Sequence, residues 1–137
     1  MLKIIPTTVA ILLSVSSVAL AGGDRTRLRC DADGAGDITM DARYEARGNR
    51  DKFDASFEAL AGGNFAAGDI LTVSVGGNDV GGMTLTVNPL NGDIEGDLEF
   101  DSQVEPNDDS IPFPGNFPAV SDGTSVVVGP IGCALED

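Results

Sequence analysis

The chain has 137 residues, 22 Asp and Glu against 8 Lys and Arg, a formal net charge of −14 and no histidine. A surface of that sign repels nucleic acid and anionic lipid. Without histidine, Ser–His and Cys–His nucleophilic machinery is excluded, as are His-ligated zinc, copper and haem sites.

Met1-Leu2-Lys3 gives a short positive start, and Ile4 to Val15 is apolar apart from Pro6, Thr7, Thr8 and Ser14. Ala19-Leu20-Ala21 then places small residues where a signal peptidase cuts, so residues 1–21 read as an export signal. Ile4–Ala21 also approaches the ~17-residue lower limit for a spanning helix. Its hydroxyls, its proline and its A-x-A ending favour cleavage instead. No Cys follows the cut directly, which argues against lipid attachment. Cleavage would leave Gly22–Asp137 as a single domain, one unit more negative than −14 through loss of Lys3. The expected address is secreted or periplasmic, with no membrane insertion once the signal is removed.

The remaining charges are segregated. Every other Lys and Arg lies between Arg25 and Lys52, and none occurs from Phe53 to Asp137. Cys30 and Cys133, the only cysteines, sit near opposite ends of the expected domain. In an oxidising compartment they are expected to pair within the chain, although free thiols or a bridge between chains also fit the count.

Strand after strand follows. Arg27–Cys30 suggests a short first strand. In Ile38–Ala46 the residues Ile38, Met40, Ala42, Tyr44 and Ala46 alternate with Thr39, Asp41, Arg43 and Glu45. In Phe53–Ala59, Phe53, Ala55, Phe57 and Ala59 alternate with Asp54, Ser56 and Glu58. Period two argues half-buried strands. A loop of Gly48-Asn49 sets Arg47 opposite Arg50, Glu45 opposite Lys52 and Arg43 opposite Asp54. It also sets Tyr44 opposite Phe53 and Met40 opposite Phe57, which pairs unlike charges on one face and apolar groups on the other. A shift by two residues would set Glu45 against Asp54.

Leu71–Val75 is the next strand, followed by a turn at Gly76-Gly77-Asn78-Asp79. Met83, Leu85 and Val87 then alternate with Thr84 and Thr86. Asn91-Gly92 turns the chain into Ile94–Asp101. A last strand runs from Ser125–Val128 on to Cys133. No stretch has helical periodicity. The expectation is an all-β, antiparallel β-sandwich of about seven to eight short strands, of the immunoglobulin or fibronectin kind, with a small β-barrel as the alternative.

Asp31–Ile38 has oxygens at positions 1, 3 and 7 and glycine at position 6 of a calcium loop. However, Ala35 and Ala42 stand where position 5 and the position-12 carboxylate belong, so a surface turn is expected. Glu95, Asp97, Glu99 and Asp101 form a carboxylate ladder on one strand face, with Asp108 and Asp109 in the loop beyond. Like charges about 7 Å apart repel. Calcium, the one cofactor these six acids suit, would relieve that, but alternation alone equally makes them a solvated outer face.

Ser102–Gly123 carries Pro106, Pro112, Pro114 and Pro118 and lacks strand character. Within it, Phe113 and Phe117 fit either a stiff apolar contact for a partner or a cap folded back on the sandwich. The second leaves less apolar surface exposed.

Asp41–Arg47 with Lys52-Phe53, then Val73–Gly76, Gly96–Ser102 and the segment Pro112–Pro118, resembles small exported bacterial β-domains to which no activity is assigned. The likeness covers most of Gly36–Gly132. It implies an all-β exported domain and carries no site residues. The functional expectation is a non-enzymatic binding or structural domain whose partner is a protein or another extracellular component. The alternatives are a calcium-binding extracellular module and a small carboxylate-dependent hydrolase. The hydrolase would have to build a sugar cleft with no Trp and a single Tyr.

Overall fold

In the computed structural model, which describes residues 25–137, nine strands form two antiparallel sheets and no helix occurs among the described residues. The signal segment expected at residues 1–21 lies outside the described residues. The strands are β1 (Arg25–Gly34), β2 (Ile38–Arg47), β3 (Arg50–Ala59), β4 (Ile70–Val75), β5 (Asn78–Thr84), β6 (Thr86–Val87), β7 (Ile94–Asp101), β8 (Ser125–Val128) and β9 (Ile131–Ala134). One sheet has the order β9-β8-β4-β5 and the other β1-β2-β3-β7-β6. The two sheets remain distinct, so the molecule is a sandwich and the barrel alternative does not hold.

The core lies between the sheets and is made by the inward half of each alternation. Met40, Ala42, Phe53, Ala55, Phe57, Leu98 and Phe100 of the larger sheet face Val73, Val75, Met83, Val126 and Val128 of the smaller one, all buried. The expected β2–β3 register is observed at every proposed pair. These include Arg43 with Asp54, Glu45 with Lys52, Tyr44 with Phe53 and Met40 with Phe57, around the loop Gly48-Asn49.

Several elements differ from the sequence reading. The first strand extends over ten residues rather than four, because Arg25–Gly34 pairs along the whole of β2. Its alternation is partly hidden by the small inward residues Cys30, Ala32 and Gly34. Met83–Val87 is not one strand. Leu85 is fully buried, and its backbone N–H donates to the Asp69 carbonyl. There the chain leaves the smaller sheet, and Thr86–Val87 pairs with Glu95 and Ile94 in the larger one. The last strand is a hairpin, because Gly129-Pro130 reverses the chain and sets Val128 opposite Ile131. The turn before β5 is tighter than expected. Gly76 and Gly77, at φ 57° and 87°, form it alone and set Val75 opposite Asn78. Two successive left-handed residues match the twist of a hairpin, and glycine adopts that conformation at no steric cost.

Gly96 occupies an inward position of β7 where the alternation would call for an apolar side chain. A Cβ there would lie 2.6 Å from Met83 Cγ and 2.7 Å from Leu85 Cδ2. The missing side chain lets residues of the opposite layer fill the space, which is how a sandwich keeps its sheets at close-packed distance.

The two sheets are tied at the β1–β9 edge. Cys30 and Cys133 form the disulfide, with Cα atoms 5.9 Å apart and a sequence separation of 103. Beside it, Arg29 and Glu136 exchange backbone hydrogen bonds of 2.9 and 3.1 Å, and Leu135 is fully buried. The C-terminal segment thereby covers part of an otherwise open strand edge. The bridge is compatible with an oxidising compartment. Among the described residues, no helix is long and apolar enough to cross a membrane.

Closing a loop of this length removes about 4–5 kcal/mol of unfolded-state entropy in the chain model, and native bridges of small domains deliver about 2–5 kcal/mol. Replacement of both residues (Cys30→Ser with Cys133→Ser) is expected to lower Tm by on the order of 10–20 °C. Scanning calorimetry checks this, and an unchanged Tm would show that the edge is held by packing alone.

Candidate functional site

The outer strand positions of the larger sheet gather every Lys and Arg among the described residues and ten of the acids. Alternation sends every second side chain of β1, β2, β3 and β7 outward, and the register sorts these into rows across the strands. Arg25, Arg47 and Arg50 form the first row. The second holds Arg27, Glu45, Lys52 and Asp101, and the third Arg29, Arg43, Asp54 and Glu99. Asp31, Asp41, Ser56 and Asp97 form the fourth. The fifth holds Asp33, Thr39, Glu58 and Glu95. The face therefore runs from basic at one end, through mixed rows, to wholly acidic at the other.

Ion pairs stabilise the mixed rows. Arg27 Nε donates to Glu45 Oε2 at 3.2 Å, and Arg25 Nε approaches the same oxygen at 3.7 Å. Arg43 Nη2 donates to Asp54 Oδ2 at 3.2 Å. These pairs are solvent-exposed and each contributes only a few tenths of a kcal/mol to about 1 kcal/mol.

A shallow groove in the mixed rows is lined by Arg27, Arg29, Arg43, Tyr44, Lys52 and Asp54. A second, in the acidic rows, is lined by Asp31, Asp33, Asp41, Glu58, Glu95 and Asp97. The acidic half is under electrostatic stress. Burial, then Glu99, Asp54 and Glu95, pushes the Asp97 carboxyl above its ordinary value. Burial, then Asp93 and Glu95, does the same to Glu58. Burial raises Asp54 too, because Arg43 offsets it only in part.

The six acids read as a calcium set do not converge. Glu95 accepts from Asn88 Nδ2 at 3.0 Å. Asp97 stands exposed in the middle of the face. Glu99 accepts from Ser110 Oγ at 3.2 Å. Asp108 accepts from the Ser110 backbone N–H at 3.1 Å, shaping its own loop and holding its carboxyl below the ordinary value. Asp109 is exposed in that loop.

Asp101 departs from the ladder altogether. Its side chain is fully buried, and the Arg50 guanidinium binds it through two hydrogen bonds of 3.1 and 2.6 Å. The Gln103 backbone N–H adds a third at 2.9 Å. The Arg50 bonds, followed by the Gln103 bond, hold the Asp101 carboxyl below the ordinary carboxylate range despite its burial. Among the described residues, no group of three or more His, Cys, Asp or Glu is arranged to hold a metal ion.

Phe113 and Phe117 are half-buried and pack against the core. Phe117 lies 5.3 Å from Phe53, 5.8 Å from Phe100 and 4.7 Å from Phe113, ring centre to ring centre, in edge-on arrangements. The proline segment is thus drawn back over one end of the sandwich. Asn116 Nδ2 fastens it to the β5 edge by donating to the Asp79 carbonyl at 2.8 Å.

Sequence reasoning identified β7 as the acidic strand and missed the contribution of β1. The sequence pattern places Asp31 and Asp33 in a surface turn, whereas they stand on a strand beside Asp41 and Thr39. The signal was the outward order Arg27, Arg29, Asp31, Asp33, which becomes legible once the strand is known to extend to Gly34. Compared with protein-family models, with curated proteins and with solved structures, the chain matches none.

The shifts give stability a defined pH dependence. Asp54, Glu58 and Asp97 have raised folded values, so the folded state takes up protons first and gains stability as pH falls from 7 toward the ordinary carboxylate range near 4. Asp101 and Asp108 have depressed folded values, so their contribution is intact above that range and is lost as pH falls through their folded values. Calorimetry across the acid range is expected to give a Tm maximum at about pH 4–5. A Tm that only falls on acidification would contradict this.

Asp97→Asn is expected to raise Tm at neutral pH. Asp101→Asn should lower it by roughly 5–10 °C, since it removes charge-assisted bonds at a buried site.

Proposed function

We propose that this is an exported, non-enzymatic binding or structural β-domain, secreted or periplasmic, that engages its partner through the outer face of the larger sheet beside the proline segment. The observation that carries the proposal is the sorting of outward charges into a basic end and an acidic end on one continuous face. Solvation alone requires charges to point outward; it does not require signs to segregate along the strands. A segregated field steers an approaching partner and fixes its orientation. The disulfide supports the oxidising address. The acidic rows stand on an open sheet, where carboxylates contact a cationic surface more readily than they enclose a substrate.

The test is calorimetric titration with an oligolysine of about ten residues, using protein dilute enough to be monomeric. Wild type is expected to bind with a steep salt dependence. The triple substitution Asp31→Asn, Asp41→Asn and Asp97→Asn should weaken binding at least about tenfold, a loss of ~1.4 kcal/mol. Equal binding by the triple variant would place the contact elsewhere.

A further inference from the structure

We propose that the outer face of β1–β3 is a self-complementary interface and that its partner is a second copy of this chain. The inference rests on that face being the contact surface.

The argument comes from the register. Consider the line across the strands that separates the row of Arg29, Arg43 and Asp54 from the row of Asp31, Asp41 and Ser56. Counting outward from it on β1, Arg29 corresponds to Asp31 and Arg27 to Asp33. On β2, Arg43 corresponds to Asp41. On β3, Lys52 corresponds to Glu58. Each of these correspondences joins opposite charges. The remaining two, Asp54 with Ser56 and Glu45 with Thr39, join a charge to a neutral hydroxyl. Four of the six correspondences on β1–β3 are therefore antisymmetric in charge about that line, and none of the six joins like charges.

A two-fold axis lying along the line, between two facing sheets, places each residue over its counterpart in the other copy. Every unlike pair then occurs twice, as an isologous contact requires. Facing sheets lie about 10 Å apart, a gap that an extended Arg or Lys and a carboxylate close together. Arg27 and Arg43 pair sideways with Glu45 and Asp54, yet their side chains remain 66% and 62% exposed.

The column on β7 is unfavourable, since Glu99 would face Asp97. That like-charged correspondence is outnumbered by the four unlike ones on β1–β3. Three strands of about 33 Å, spaced about 4.8 Å apart, cover roughly 500 Å² per copy, so the dimer is weak and reversible. From Phe53 onward the chain has no cation to meet the acids of another copy, and this face is where two such strongly acidic molecules can approach with attraction.

The test uses protein purified with its disulfide intact, analysed by sedimentation at about 100 µM in low salt and in about 0.5 M salt. One variant carries Arg27→Glu and Arg29→Glu, and a second carries Asp31→Arg and Asp33→Arg. Wild type is expected to form a reversible dimer at low salt that weakens more than about tenfold in high salt. Each variant alone should be monomeric. Their equimolar mixture should regain the dimer, because the all-acidic edge of one then faces the all-basic edge of the other.

Should either β1 variant fail to fold, Lys52→Glu and Glu58→Lys on β3 repeat the experiment. A wild type that stays monomeric at low salt, variants that still dimerise alone, a mixture that stays monomeric, or a dimer indifferent to salt would each overturn the proposal. A monomeric wild type that nevertheless binds oligolysine through the acidic rows would overturn self-association and leave the contact face standing.

Discussion

The pairing of β2 with β3 is the constraint on which the rest of the structure depends. A two-residue loop at Gly48-Asn49 fixes Arg47 opposite Arg50, and every later pair follows from it. A slip of β3 by one residue would turn Phe53, Ala55 and Phe57 out into water and bring Asp54, Ser56 and Glu58 into the core. A slip of two would keep the faces but oppose Glu45 and Asp54. The register is thus held by burial against the first error and by charge against the second. Because β1 and β7 add to either side of this pair, the charge rows of the outer face inherit its alignment.

Closing the sandwich falls to interactions at its margins. The disulfide and the Arg29–Glu136 backbone pair join the sheets where β1 would otherwise present an open edge. At the β7 end, Arg50 and Asp101 bring the start of β3 and the end of β7 together. The Asp51 backbone N–H then donates to Ser102 Oγ at 2.8 Å, and the Ser102 N–H donates to the Asp51 carbonyl. From that point the chain departs into the proline segment, whose Phe113 and Phe117 return to Phe53 and Phe100. The buried ion pair therefore marks where the acidic ladder of β7 stops being a surface and becomes a joint.

Fold class and the β2–β3 register were legible in the sequence because they depend on a local or strongly periodic signal, and the cysteine pair because the chain has only two cysteines. What escaped depends on tertiary context. The length of β1 was obscured because Cys30, Ala32 and Gly34 are too small to announce an inward face. The division at Leu85 was hidden because period two continues through a residue that is buried between layers whichever sheet follows. Gly129-Pro130 did carry a turn signal, and it was overridden by the apolar run around it. At the site, alternation placed Glu95, Asp97 and Glu99 outward correctly. The same rule failed for Asp101, since a partner fifty-one residues away in sequence decides its fate.

The acids of this chain consequently do opposite kinds of work. Where a cation or backbone donors meet a carboxylate, as at Asp101 and Asp108, ionisation favours the fold. Where carboxylates gather without cations, as at Asp97 and Glu58, ionisation opposes it. A sequence under pressure only for stability would intersperse the signs, for each isolated Asp or Glu set beside an Arg would relieve its neighbour. Among the described residues the cations are confined to β1, β2 and the first residues of β3, and the far rows are left to repel one another. That arrangement costs stability in the free protein, and the cost falls when positive charge is brought against the acidic rows. The unbalanced half of the face is thus the part of the structure whose energy most depends on something outside the molecule.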